Sequence, residues 1–191
     1  MQGDKVFQME KNTPSFPVQR LVIVGSTGSG KTTLARAASL RLHIPVIEMD
    51  SLYWGPGWTP TPRPALREKV AALVAADAWV VDGSYRNAVG DIVWSRADTL
   101  VWLDYPLRTI LWRVWCRTVR RLWTREVLWN GNRERFRTAF LSKESLFVWA
   151  VRMHARRRRE YAEALPLHPL LAVVRLRSAG EVKRWLASLD G

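Results

Sequence analysis

The sequence has 191 residues, 48% of them hydrophobic, which is enough for one domain with a buried core and excludes an intrinsically disordered chain. Thirty Lys and Arg residues against 17 Asp and Glu residues give a formal net charge of +13, which predicts an anionic partner or substrate: a nucleoside polyphosphate, a nucleic acid or an anionic membrane surface. The single cysteine, Cys116, excludes an internal disulfide, and no apolar run approaches the length of a membrane-spanning helix, so a cytoplasmic location is expected.

The first 17 residues are polar, carry charges of both signs and contain Pro14 and Pro17. They lack the apolar stretch of a signal peptide, so residues 1–17 are predicted to form a flexible N-terminal arm. Residues 18–191 are predicted to form one domain.

The segment that begins at Gly25 reads GSTGSGKT and matches the phosphate-binding pattern G-x-x-x-x-G-K-[ST] at every fixed position. A short apolar run precedes it and a helical pattern follows, which is the context that this loop needs and that a chance Gly/Ser turn lacks. Lys31 is predicted to reach the β- and γ-phosphates of ATP, and Thr32 to bind Mg²⁺. The predicted nucleotide-binding residues are Gly25, Ser26, Thr27, Gly28, Ser29, Gly30, Lys31, Thr32 and Thr33.

Apolar strands alternate with helices along the rest of the chain. Strands are predicted at 20–24, 44–50, 79–81, 99–103 and 170–176, with helices from Thr32 onward, over 65–76, and after a capping box formed by Ser178 and Glu181. This alternation predicts an α/β protein: a three-layer P-loop NTPase fold with a five-stranded parallel sheet and helices on both faces.

Two acidic residues follow predicted strands, at the edge of a parallel sheet where ligands bind. Asp82 is the type of residue that holds the Mg²⁺ of a nucleotide, although an Asp before Gly83 also suits a plain turn. Asp50 could orient or deprotonate an acceptor hydroxyl, bind the acceptor's ribose, or cap a helix or turn. Tyr53, Trp54 and Trp58 lie in the Gly- and Pro-rich loop after Asp50 and could stack on a base or anchor the loop.

The segment 107–164, between the fourth and fifth strands, is predicted to be an Arg-rich helical insert. Its first helix has two faces at 100° per residue: Leu111, Trp112, Trp115, Val119 and Leu122 are expected to pack, and Arg113, Arg117, Arg120, Arg121 and Arg125 to form a cationic surface. Cys116 is predicted to be a small buried residue. Arginines next to a P-loop suit a lid that neutralises charge on a transferred phosphoryl group, although an Arg-rich helix face is often only solvated surface.

A break in this insert is predicted at residues 130–132, which read NGN. Asn130, Asn132, Arg133 and Arg137 could contact phosphate where the insert folds over the site. A capped turn accounts for them equally well.

This order of P-loop, strand-end acids and Arg-rich insert resembles the adenylate-kinase type of nucleotide kinase. The segment 82–86 reads DGSYR and is similar to the Asp-Gly-aromatic-Pro-Arg segment of those enzymes, although Ser84 and Tyr85 replace the aromatic residue and the proline. The resemblance implies that Arg86 grips the acceptor's phosphate. A closer resemblance, over 20–189, is to the adenylate-kinase-related DNA topology modulation (FlaR-like) proteins, through DSLYW at 50–54, PGW at 56–58, DGSY at 82–85 and WNGNRE at 129–134.

The function expected from these features is transfer of the γ-phosphoryl group of ATP, with Mg²⁺, to a nucleoside-like or nucleotide-like small molecule that is anionic or bears a hydroxyl. The catalytic residues are predicted to be Lys31, Asp50, Arg86, Arg133 and Arg137, and the metal ligands Thr32 and Asp82. A nucleic-acid-associated ATP-binding protein that influences DNA topology is the first alternative, because cationic surfaces with interleaved tryptophans also suit single strands. Attachment to a membrane surface through the basic amphipathic helix at 108–129 is the second.

Overall fold

The computed structural model describes residues 18–83, 85–124, 127–132 and 146–189. The predicted N-terminal arm and the predicted site residues Arg133 and Arg137 lie outside these ranges.

A five-stranded parallel sheet forms the centre of the described structure, as predicted. Its strands are β1 (Arg20–Gly25), β2 (Val46–Glu48), β3 (Trp79–Asp82), β4 (Thr99–Leu103) and β5 (Ala172–Leu176), in the order β2-β3-β1-β4-β5. Strand β2 has three residues and ends at Glu48, so it is shorter than the predicted 44–50. As a result, Asp50 lies in a short helix just after the strand.

Seven α-helices accompany this sheet in the described residues. They are α1 (Lys31–Leu42), α2 (Met49–Tyr53), α3 (Arg63–Leu73), α4 (Arg86–Trp94), α5 (Leu107–Thr124), α6 (Leu146–Ala164) and α7 (Ala179–Ala187). Helix α7 starts at the predicted capping box, in which the Glu181 amide donates to Ser178 Oγ over 3.2 Å.

The helices cover both faces of the sheet, because alternate residues of each strand point to opposite sides. Val22 and Val24 of β1 belong to one buried cluster, which also contains residues of α3, α4 and α6. Leu21 and Ile23 belong to a second cluster with residues of α1, α5 and α7. All four side chains are 0% exposed, which explains why β1 has no polar position after Arg20.

Helix α5 packs by a different face from the one predicted. Its buried residues are Ile110, Val114 and Thr118. Trp112 and Trp115, which were expected to pack, are 67% and 48% exposed, and Cys116 is exposed as well. The prediction was wrong for the two tryptophans and for Cys116, whereas Leu111 does pack against the core. A helical period defines two faces without stating which one meets the core, and here the residues next to the arginines do so.

The carboxyl ends of the strands bring the polar groups of the chain to one edge of the sheet. The loop after Gly25, the helix after Glu48, and the strand-end residues Asp82 and Asp104 all lie there. In the part of the chain that is described, no helix combines the length and the apolar character required to span a bilayer.

Candidate nucleotide and acceptor site

The loop between β1 and α1 has the backbone that the glycine pattern predicts. Gly28 and Gly30 have φ values of 75° and 93°, in the left-handed region that residues with side chains rarely adopt. Gly28 also lies against α5, because a Cβ atom there would be 2.5 Å from Cγ2 of Val114. Glycine is therefore required at position 28 both by the turn and by the helix behind it.

The N-terminus of α1 faces this loop without an internal cap. Gly30 precedes the helix and supplies no side-chain hydrogen bond, and the first turn contains no acidic residue. The first N–H groups of a 12-residue helix thus remain available to an anion. The hydroxyl of Ser29 is buried and has no hydrogen-bond partner within the described residues, which is the kind of polar atom that a bound phosphate would satisfy.

Lys31 lies among charged groups of both signs. Its ammonium donates to the Ser26 carbonyl over 3.1 Å. Burial lowers the pKa of Lys31, and the nearby carboxylate of Asp82 opposes this effect. The positive charges of Arg157 and Arg117 lower the pKa further. Several cations thus converge beside the P-loop, an arrangement that a polyphosphate would neutralise.

Thr32 and Asp82 form the pair that could hold a magnesium ion. Burial raises the pKa of Asp82. The charge of Lys31 and a hydrogen bond with Thr32 lower this pKa, but by less. No group of three or more His, Cys, Asp or Glu side chains suited to a metal occurs among the described residues. The pair fits Mg²⁺, which is commonly bound by one or two protein oxygen ligands and completes its shell with substrate phosphates and water.

Two arginines from the segment between β4 and β5 reach the P-loop. Arg113 of α5 donates to the carbonyl of Ser29 over 2.9 Å, and its guanidinium lies 4.1 Å from the ring centroid of Tyr105. Arg157 of α6 donates to the carbonyl of Gly25 over 2.9 Å. The P-loop therefore has arginines at both its beginning and its end.

Asp50 is held by a tyrosine that the sequence did not indicate as a site residue. The hydroxyl of Tyr85 donates to Asp50 Oδ1 over 2.6 Å. Burial raises the pKa of Tyr85, and the charge of Asp50 and this hydrogen bond raise it further, so the tyrosine stays a donor. The negative charge of Asp50 also raises the pKa of Lys31, which places the carboxylate within electrostatic reach of the P-loop lysine.

The aromatic side chains after Asp50 pack on one another. Tyr53 contacts Trp54 edge-to-face with centroids 4.7 Å apart, and its ring lies 4.8 Å from that of Tyr85. Trp54 in turn meets Trp58 at 5.7 Å. These contacts match the prediction that the aromatic residues anchor the loop, and they leave stacking on a base as an expectation.

Arg86 begins α4 and points along it. Its guanidinium lies 5.9 Å from the ring centroid of Trp94, and its side chain rests on Gly90, where a Cβ atom would be 2.9 Å from Cγ of Arg86. The groove that it lines, of about 280 Å³, is formed together with Asn87, Gly90, Asp91, Trp94 and His168. Lys31, Asp50 and Asp82 do not line this groove.

The break predicted at residues 130–132 occurs as a short 3-10 turn, Trp129–Gly131. Asn130 and Asn132 bond the backbone of the aromatic loop. These two asparagines therefore act as residues of a structured turn, the second of the two roles predicted for them.

Several residues of this edge could not be identified from sequence patterns. Tyr85 reaches Asp50 from 35 positions away, and Arg157 reaches Gly25 from 132 positions away. Arg113 and Arg117 carried a signal, because they lie four residues apart on a helix that starts just after the strand beside the P-loop. That signal pointed to a shared helix face, whereas the contact of Arg113 with the loop is tertiary.

Solved structures with similar folds include small-molecule kinases. A shikimate kinase from Acinetobacter baumannii in complex with shikimate has a TM-score of 0.56 at 15% identity, with 90% of each chain covered. The shikimate kinase from Aquifex aeolicus has a TM-score of 0.52 at 20% identity, over 90% of this chain and 96% of that one. A gluconokinase from Sinorhizobium meliloti has a TM-score of 0.51 at 19% identity, over 92% and 94%.

Comparisons of sequence gave no match. No protein-family model matches the chain, and no curated protein does so. The FlaR-like membership and the nucleic-acid alternative therefore stay predictions from the residues quoted above. At these low identities, the structural similarity establishes that the chain has the α/β fold of P-loop kinases.

Proposed function

We propose that the protein is an ATP-dependent kinase that phosphorylates a hydroxyl group of a small molecule. The observation that supports this most directly is the 2.6 Å hydrogen bond from Tyr85 that holds the Asp50 carboxylate at the same edge of the sheet as the P-loop and Lys31. A P-loop lysine serves the phosphoryl donor, and a carboxylate held at the same edge suits an acceptor hydroxyl. Both halves of a transfer site thus lie at one edge of the sheet.

The donor half consists of residues 25–33 and Asp82. The amides of the P-loop and of the first turn of α1 would hold the β- and γ-phosphates, with Lys31 between them. Thr32 and Asp82 would hold Mg²⁺, which when bound neutralises charge on the phosphates. Arg113, Arg117 and Arg157 lie close enough to the loop to add positive charge around the transferred group.

The acceptor half rests on Asp50. Its carboxylate would orient the acceptor hydroxyl and accept its proton while the oxygen attacks the γ-phosphorus and the bond to the leaving ADP oxygen breaks. Tyr85 would keep the carboxylate ionised and correctly turned, because its hydroxyl donates to one of the two oxygens. Arg86, Arg133 and Arg137 stay proposals for gripping the acceptor or the transferred phosphoryl group.

The choice of acceptors to test follows from the neighbouring folds and from the sequence. Shikimate and gluconate are suggested by the names of the similar kinases, and nucleosides and nucleotides by the adenylate-kinase-like order of motifs. All of them present a hydroxyl or a phosphate to Asp50 and its surroundings.

The experiment is a coupled measurement of ADP release from MgATP with this panel of acceptors. The protein is expected to release ADP faster with one class of acceptor than with water alone. Lys31→Ala should abolish this stimulation, and Lys69→Ala, on the exposed side of α3, serves as the matched control. ATP binding to the wild type without stimulation by any acceptor of the panel would contradict the kinase proposal.

A further inference from the structure

A turn in the segment between β4 and β5 binds the stretch of chain that contains Asp50. We call residues 129–132 the clamp turn and residues 49–62 the acceptor loop. They lie more than 65 residues apart in sequence, yet hydrogen bonds join them at several points. The clamp turn follows α5, whose Arg113 contacts the P-loop.

Asn132 makes the most demanding of these contacts. It is 4% exposed, its Nδ2 donates to the Gly55 carbonyl over 2.9 Å, and its Oδ1 accepts from the Trp58 amide over 2.9 Å. Both ends of one buried amide side chain are thus used on two backbone groups of the acceptor loop. An alanine at this position would leave both of those groups without their partner.

The acceptor loop requires such support because its backbone is strained at the point of contact. Trp58 has φ 59° and Gly57 has φ 65°. A residue as bulky as tryptophan adopts the left-handed region only when surrounding structure holds it there. The bond from the Trp58 amide to Asn132 is part of that structure.

The other residues of the clamp turn contact the chain at both ends of α2, the short helix that contains Asp50. Asn130 Nδ2 donates to the carbonyl of Ser51 over 3.3 Å and to that of Trp54. Trp129 Nε1 donates to Glu48 Oε2 over 3.1 Å, and Glu48 also accepts from Arg36 of α1. The clamp turn therefore contacts the chain on both sides of Asp50.

We propose that the clamp turn is a positioning element that couples the acceptor loop, and with it Asp50, to the state of the P-loop. The inference rests on the proposed function only for the meaning of Asp50 in catalysis. Its physical basis is that the clamp turn contacts both halves of the site. Asn132 bonds the acceptor loop. Trp129 bonds Glu48, which also accepts from Arg36 of α1, the helix that begins at the end of the P-loop. Nucleotide binding that shifts α1 would thus be transmitted through Glu48 to the acceptor loop.

The first test is amide hydrogen exchange of the full-length protein, with and without Mg²⁺ and the non-hydrolysable ATP analogue AMP-PNP. In the wild type, the analogue is expected to protect both the P-loop and residues 51–61. In Asn132→Ala it should protect the P-loop alone, and the Trp58 region should exchange about tenfold faster or more without nucleotide. Asn130→Gly, which keeps the left-handed backbone but lacks the amide side chain, should give a smaller effect.

Ser95→Ala is the control, because it removes an exposed side-chain bond to a carbonyl, at the end of α4. It should leave both protection patterns as in the wild type. Protection of residues 51–61 by the analogue that persists in Asn132→Ala would overturn the inference.

The second test separates the inference from the proposed function. If an acceptor is found, Asn132→Ala should lower kcat/KM for it at least about tenfold, mainly through KM, while the dissociation constant of AMP-PNP stays within twofold of the wild type. An equal loss of nucleotide affinity would overturn the inference and point to general destabilisation. A wild type that phosphorylates nothing but keeps the exchange coupling would contradict the proposed function and leave the coupling supported.

Discussion

Tyr85 and Asp50 form the residue pair on which the acceptor half of the proposed site depends. Tyr85 has φ 26°, an unusual value for a residue with a side chain, and it directly precedes α4. This backbone directs the phenol toward the helix after β2, where its hydroxyl meets Asp50. A sequence pattern contains no information about such a contact, because it depends on the exact path of two separate loops.

We predict that Tyr85→Phe lowers kcat/KM for the acceptor about 10- to 100-fold, because a hydrogen bond to a charged group contributes about 1.5–3 kcal/mol. Nucleotide affinity should not change, since the P-loop does not contact this hydroxyl. Steady-state kinetics and a titration with AMP-PNP measure the two quantities. Tyr53→Phe, in the neighbouring ring, should have the smaller effect, and the reverse order would argue against a role for Tyr85 through Asp50.

The P-loop glycine nearest α5 allows a second prediction at this scale. In Gly28→Ala the new methyl group would come within 2.5 Å of Val114, at a backbone φ of 75°. We expect the free energy of unfolding to fall by about 1–3 kcal/mol and AMP-PNP affinity to fall at least tenfold. Urea denaturation and isothermal titration give these values. Gly131→Ala is the control, because it also has positive φ but no atom of the described residues lies within 4 Å of the added atom.

At the residue scale, the sequence predicts those site residues whose role depends on their neighbours in the chain. The pattern from Gly25 to Thr32 is contiguous, so its glycines and their positive φ values were predictable from composition and spacing alone. Asp82 was predictable because a buried strand delivers it to the edge of the sheet. Tyr85 and Asn132 were not predictable as partners of the acceptor loop, since each acts through a contact across a long sequence separation.

Among the helices, α5 deserves a direct test because its orientation reverses the expectation from its sequence. Both of its faces show a helical period, and aromatic residues normally mark the buried one. The structure instead buries Ile110, Val114 and Thr118, which brings Arg113 to the carbonyl of Ser29. The need to place arginines beside the P-loop is a tertiary requirement, and no pattern within the helix expresses it.

We predict that Ile110→Ala lowers the free energy of unfolding by about 2–5 kcal/mol, whereas Trp123→Ser changes it by about 0.5 kcal/mol or less. Ile110 is fully buried, and Trp123 is 88% exposed. Chemical denaturation monitored by circular dichroism measures both variants. A larger loss for Trp123→Ser than for Ile110→Ala would show that the tryptophan side of α5 is the packed one.

Helices α3 and α4 are joined at the surface by an ion pair that has a measurable titration. Arg67 forms two short bonds to Asp91, of 2.8 and 2.7 Å, and the hydrogen bonding lowers the pKa of Asp91 to about 2. Its contribution to stability is present above the pKa of an unfolded aspartate, about 3.9, and is lost as the pH falls toward 2.

We predict that Arg67→Met returns the pKa of Asp91 toward about 3.9 and removes this part of the acid sensitivity. Carboxyl-detected NMR titration measures the pKa directly, and denaturation at pH 5 and pH 2.5 measures the stability. Arg63→Met, an exposed arginine in the first turn of α3, is the control that should leave Asp91 unchanged. A pKa of Asp91 that stays near 2 in Arg67→Met would assign the shift to another cause.

For the whole molecule, the strand order explains why distant sequence segments meet. Strand β1 lies in the middle of the sheet, with β3 on one side of it and β4 on the other. The P-loop therefore lies at the centre of the sheet, with Asp82 on one side and Asp104 on the other. The alternation of strands and helices made the parallel sheet predictable, and the similar kinase folds agree with it.

Asp104 connects helix α6 to this sheet. Its carboxylate, 1% exposed, accepts from Arg158 of α6 at 2.9 Å and from Arg175 of β5 at 2.5 Å. Arg175 also covers the ring of Trp102 at 4.3 Å. The helix that carries Arg157 to the P-loop is thereby fixed to strands β4 and β5.

We predict that Asp104→Ala lowers the free energy of unfolding by about 1–3 kcal/mol, because it leaves two guanidinium groups without their shared acceptor. Arg158→Met should cost less than Asp104→Ala, since the Arg158 side chain is 49% exposed and part of its charge is screened by water. Urea denaturation of both variants tests the order. An equal loss in the two variants would show that the whole effect of Asp104→Ala comes from its bond to Arg158 of α6.

The exposed position of Cys116 offers a way to follow nucleotide binding directly. It is the only cysteine of the 191 residues, and it lies on the outward side of α5, one turn from Arg113 and next to Arg117. A thiol-reactive fluorophore or spin label would therefore attach at one defined place without any engineered substitution. Such a reporter would move with the helix whose arginine contacts the P-loop, so that nucleotide binding could be followed in real time before any acceptor is known.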